Sequence, residues 1–125
     1  MSRWPDIEKA LVSHVRAETG KRAGTLVPGD VETLAAFIRI ARGPGADDDV
    51  TDSPVVDVET FSKDYGDAAT LAEDVRQIFK ALAGRRIGPV LIDRVRTISS
   101  PSWVDYRNPG TNRFVASYRI EYRQQ

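Results

Sequence analysis

Chemistry in this chain would have to come from carboxylates, arginines, hydroxyls and a single histidine, because no cysteine is present. That removes disulfides, thiolate metal ligands and a cysteine nucleophile together. A Ser-His-Asp arrangement would rest wholly on His14, which falls beside the apolar stripe of an expected helix and reads as a satisfied boundary residue. No phosphate-cradling Gly-Lys-Ser/Thr loop occurs, and no glycine fingerprint leads from a strand into a helix. Asp47, Asp48, Asp49 and Asp52 lie close enough to invite a divalent cation, yet they lack the alternating ligands, central glycine and distal glutamate of a calcium loop. Carboxylates this dense repel one another unless water or a cationic partner screens them, so a hydrated acidic loop is the expectation. No catalytic residue, cofactor or metal site is expected, and the chain is not read as an enzyme.

Nucleic-acid binding is the other chemistry to weigh. Tyr118-Arg119-Ile120-Glu121-Tyr122-Arg123 interleaves aromatics and arginines as single-strand binders do. Strand alternation, however, sends the tyrosines to one face with Phe114 and Ile120 and the arginines to the other, so the tyrosines belong to the core. The formal net charge is zero, which removes the attraction that dominates such binding. Zero net charge hides a segregation: Gly43 to Asp74 holds ten acids and one base, whereas Arg85 to Arg123 holds eight arginines and three acids. Segregated charge on a neutral chain suits contact with a copy of itself or with a patterned partner. Fourteen of the 18 basic residues are arginine, which fits a GC-rich coding genome as readily as any functional demand.

The elements that would position these groups follow from periodicity. With 125 residues the chain fits one domain, 1–125, with a single core. No apolar run approaches the roughly 18 residues that span a bilayer, and the first residues lack an apolar signal core, so a soluble chain, cytoplasmic where it is made, is expected. Pro5 at a first-turn position, with Asp6 and Glu8, opens a helix to about Thr19, stopped by Gly20, whose stripe is Ile7, Ala10, Leu11 and Val15. A short strand is expected over Gly24 to Val27, closed by the turn Pro28-Gly29-Asp30, and a helical turn or loop over Thr33 to Ala36. A second strand runs from Phe37 to Arg42 and ends at Gly43-Pro44-Gly45; a third covers Val55 to Ser62, with Val56 and Val58 opposite Asp57 and Glu59.

From Asp67 to about Ala83, Ala68, Leu71, Ala72, Val75, Ile78, Phe79 and Leu82 recur at helical spacing, with Gly84 as the stop. Two strands close the chain: Val90 to Ser99, with a bulge near Asp93, and Arg113 to Arg123, which alternates cleanly. The sum predicts an α+β fold, two amphipathic helices packed on one face of a four- to five-stranded, mainly antiparallel sheet. Its other face would be solvated or shared.

This element order, together with Val90-Leu-Ile-Asp-Arg-Val-Arg-Thr-Ile-Ser-Ser-Pro-Ser-Trp103 and Asp52-Ser-Pro-Val-Val-Asp-Val-Glu-Thr-Phe61, resembles the tail terminators of long-tailed bacteriophages, also called head-to-tail joining or minor tail proteins. The resemblance spans Ile7 to Tyr122. It implies a structural virion protein without catalysis: a hexameric ring of copies of itself that caps the tail tube protein, ends its polymerisation and docks the head completion or connector protein. It places the protein in the virion tail, at the head-proximal end, with DNA passing through the lumen without specific binding and no membrane involved. A head completion or connector protein is the nearest alternative reading, and a small nucleic-acid-binding module is the alternative of another class.

On that reading, charge segregation suggests Arg94, Arg96 and Arg107 facing Asp57 and Glu59 across a head-to-tail interface, in which one surface of each copy meets a different surface of the next. The loop with Asp47, Asp48, Asp49 and Asp52 would point to the lumen or a ring rim. Pro101 to Asn112 is long for a hairpin connection, and Trp103 and Tyr106 make it a candidate dock for tube or head. The other reading of Trp103 is that it folds back over the sheet edge.

Overall fold

The computed structural model describes residues 3–124 and carries two helices and six strands. Helix α1 spans Ile7–Thr19, and Asp6 caps it by accepting a hydrogen bond from the Lys9 amide at 3.0 Å. Pro5 therefore lies one residue before the cap rather than in the first turn, and Gly20, at φ 68°, closes the helix in the left-handed conformation. Ile7, Leu11, Val12 and Val15 are buried; Val12 extends the expected stripe, while Ala10 is half-buried.

The first strand, β1, is Ala23–Gly24, shorter and earlier than the expected 24–27, and it pairs in parallel with β2, Ala36–Asp47. One turn of 3-10 helix at Val31–Thr33 joins them. Gly43-Pro44-Gly45 does not end β2. It forms a bulge between Arg42 and Gly45, after which β2 continues against β3, Thr51–Ser62, up to the pair Asp47 and Asp52. The acidic loop expected after Gly43-Pro44-Gly45 is thus mostly a hairpin. A side chain at position 45 would collide with the Pro54 backbone, which is why only glycine lets the strands close there.

Helix α2, Tyr65–Lys80, is capped by Asp64, whose carboxylate accepts from the Asp67 amide at 2.9 Å. It starts two residues before the expected Asp67 and ends at Lys80, with Gly84 at φ 78° beyond it in the turn that feeds β4, Arg86–Ile87. Strand β5 runs Val90–Trp103, four residues past Ser99, and its register shifts between Ile92 and Arg94, where a bulge near Asp93 is expected. Strand β6 is Asn112–Arg123.

The strands form one mixed sheet in the order β1-β2-β3-β6-β5-β4. Six strands replace the four or five expected, because the two-residue β4 adds an edge beyond the five strands read from the sequence, and β1 at the other edge alone is parallel. Both helices pack on one face: α2 over β3, β5 and β6, and α1 over β1 and β2. The main core lies between, where Tyr118 and Tyr122 are fully buried with Ile38, Ile40, Ile92 and Ile120. The other face is neither bare nor shared throughout. At one end Val31, Phe37 and Phe61 form a second small core, covered by Val27, Leu34 and Tyr106 from the flanking loops.

Candidate functional site

The uncovered part of that second face is a lattice of polar side chains alternating with the core residues. Glu59 on β3 accepts from Arg39 of β2 at 2.7 Å and from Arg113 of β6 at 3.1 Å, a three-strand bridge that leaves the carboxylate little reason to seek another cation. Asp57 accepts from the Ser117 hydroxyl at 2.9 Å. Neither acid meets the expected arginines within the chain. Arg94 approaches Glu121 only to 3.9 Å and is 62 % exposed; Arg96 stands opposite Arg119; Arg107 sits in the loop after β5.

One strong ion pair lies beside these arginines. Arg123 grips Asp93 through two nitrogens at 2.6 to 3.0 Å, and its guanidinium holds the Asp93 carboxyl below its ordinary range. The four clustered aspartates separate by role. Asp47, Asp48 and Asp49 occupy the exposed tip of the β2–β3 hairpin. Asp48 accepts from the amides of Thr51 at 2.7 Å and Val50 at 3.0 Å, and these bonds lower its pKa.

Asp52 departs from the other three. It is buried, ion-paired to Arg42 and hydrogen-bonded by the Tyr122 hydroxyl at 2.9 Å, while Arg42 also donates to that hydroxyl at 2.8 Å. This triad closes one end of the main core, so Asp52 is not part of the exposed tip. Tyr106 likewise turns inward, edge-on to Phe61 at 5.3 Å with the Arg113 guanidinium over its ring. Trp103 remains 45 % exposed, its indole N–H donating to Asn112 at 3.3 Å, and stands opposite Phe114 in register. Beside it, Tyr65 packs edge-on to Phe114 at 5.1 Å and is itself 55 % exposed.

Sequence reasoning missed the roles of Arg42, Glu8, Arg39 and Arg113. Glu8 accepts from the Arg42 amide at 2.7 Å across 34 residues, a contact with no local signal. The Arg42 and Asp52 pair becomes findable only once Gly43-Pro44-Gly45 is read as a bulge inside a hairpin. His14 lies 3.8 Å from Glu18 on the wall of a cleft of about 630 Å³ between α1 and the β4–β5 turn. Among the described residues no group of three His, Asp or Glu side chains is arranged to hold a metal ion, and no helix is long and apolar enough to cross a membrane.

The fold is a helix-backed sheet whose exposed face and edges carry charge and aromatic side chains. Residues 3–89 match the family of phage tail termination proteins, and the chain belongs to that family. Its role is accordingly a structural one in the phage tail. The match covers α1 to β4 and stops before β5, so the strand with Asp-Arg-Val-Arg lies outside it. Comparison with curated proteins finds no match. Among solved structures, a chain of the virion of a native gene transfer agent (GTA) particle superposes with a TM-score of 0.63 at 14 % identity, covering 94 % of each chain. That likeness extends the shared fold across β5 and β6.

Proposed function

We propose that this chain assembles into a hexameric ring at the head-proximal end of the tail, where it caps the tail tube, ends its polymerisation and offers the surface to which the head docks. Family membership over residues 3–89 is the observation that carries this reading. The fold supports it, because exposed charges and aromatics gather on the sheet face and edges instead of around a reactive centre. Arg94, Arg96 and Arg107 are exposed and so available to a neighbouring subunit, whereas Glu59 is already bridged within its own chain.

Negative-stain imaging of the purified protein, alone and mixed with tail tubes, tests it. Rings, or tube ends closed by a disc of density, are expected. Dispersed particles that leave tube length and tube ends unchanged would overturn the proposal.

A further inference from the structure

The two sides of the sheet are treated unequally. On the β1–β2 side, side chains of α1 occupy the outward backbone groups: Arg16 donates to the Ala23 carbonyl at 2.6 and 2.9 Å, and Glu8 accepts from the Arg42 amide at 2.7 Å. Pro44 removes a further donor there. This is how proteins blunt an edge against unwanted strand pairing. On the other side, β4 and the preceding turn cover β5 only through Ile92, where Gly84 and Arg85 complete the bonds. From Arg94 to Trp103 the outer edge of β5 meets no backbone partner among the described residues.

That open edge has two parts. Arg94 and Arg96 make its first part basic, and Thr97 to Val104 is a largely exposed run without a single charge, in which Ile98 is 48 % and Trp103 45 % exposed. A tip of opposite sign exists on the same chain. The β2–β3 hairpin ends in Asp47, Asp48 and Asp49, followed by Val50, which is 59 % exposed. Among the described residues no ion pair engages any of these three aspartates, and Arg96 has none either. The remaining acids of the acidic segment on the sheet, Asp52, Asp57 and Glu59, are already bonded internally.

We infer that the open β5 edge, Arg94–Val104, is the docking surface for a second copy of this chain, and that the docking element is the acidic tip of that copy's β2–β3 hairpin. The arginines meet the tip carboxylates, and Val50 covers the apolar run. Two different surfaces of one chain are used, so the contact is head-to-tail and can close a ring. This rests on the ring reading above and replaces its interface acids, since the tip becomes an inter-subunit contact rather than a lumen lining.

Charge reversal with rescue tests it. R94E together with R96E should lower the fraction of ringed or tube-capping protein by on the order of tenfold, because like charges then face each other. D47K together with D49K should do the same, and D49N, which keeps a side chain suited to the left-handed backbone at that position, should weaken assembly less while folding normally. All four reversals in one chain should restore rings, and rising salt should weaken wild-type assembly. Assembly unchanged in either reversed variant, or no recovery in the combined chain, overturns the inference while leaving the functional reading standing on the wild-type protein's own capping. Rings that persist in R94E/R96E but no longer cap tubes overturn it too, assigning the edge to the tube. A wild-type protein that neither rings nor caps overturns the functional reading and this inference with it.

Discussion

Tyr118 and Tyr122 show how one residue type serves two ends. Both are fully buried on the helix side of β6, but the Tyr122 hydroxyl sits between Asp52 and Arg42, whereas the Tyr118 hydroxyl has no partner among the described residues. Burial pushes both hydroxyls from an ordinary value of 10.0 up to about 12, and the bond to Asp52 adds to the effect at Tyr122. In the unfolded chain they release protons near pH 10, so between about pH 10 and 12 the unfolded state holds fewer protons and stability falls as pH rises. Each tyrosine should forfeit on the order of 2 kcal/mol across that window. Urea denaturation at stepped pH checks this: Tyr118→Phe should flatten the alkaline loss, with little cost at pH 7 because the hydroxyl it deletes is unpaired. Alternation along β6 made both tyrosines core residues in advance. The triad was not legible, since Asp52 lies 10 positions from Arg42 and 70 from Tyr122, and Arg42 lies 80 from Tyr122, so the three meet only through strand pairing.

Among the elements, the helices were the most legible, because a stripe at 3.6-residue spacing and a capping carboxylate are both local. Strand interiors with clean alternation followed for the same reason. Strand ends did not. Gly43-Pro44-Gly45 carries every mark of a terminator, yet β3 pairing carries β2 through it, with the bulge absorbing the proline and Gly45 admitting the Pro54 backbone. Gly45→Ala should therefore cost about 1–3 kcal/mol by forcing the hairpin apart, whereas Gly29→Ala, which meets no neighbour, should stay within about 0.5 kcal/mol. The midpoint of urea unfolding separates them. β5 outran its expected end for the same tertiary reason: Pro101 and Ser102 have weak strand signals of their own, and the strand is held there by Val115 opposite Ser102 and Phe114 opposite Trp103.

For the molecule as a whole, charge segregation in the sequence resolves into two populations. Acids in the middle of the sheet are consumed by internal bridges, while the aspartates at the hairpin tip and Arg96 on the open edge have no ion pair among the described residues. Trp103 belongs to that edge. Trp103→Ala should leave the thermal midpoint within about 3 °C, as for a surface residue, while lowering the fraction of capped tube ends. A large drop in melting temperature with capping intact would assign the indole to the fold instead. The family is visible from residue order alone, and the match over residues 3–89 agrees with the terminator-like texture even though it leaves out β5 and β6.

Residue order alone carried the α+β class, the helical stripes, the core face of β6, the bulge near Asp93 and the zero net charge. All of these depend on short-range periodicity or on composition, which the chain keeps in any conformation. Which charges remain free was settled by folding. An ion pair between Glu59 and Arg113 requires residues brought together by strand order, and a bond from the Arg42 amide to Glu8 requires α1 packed against β2.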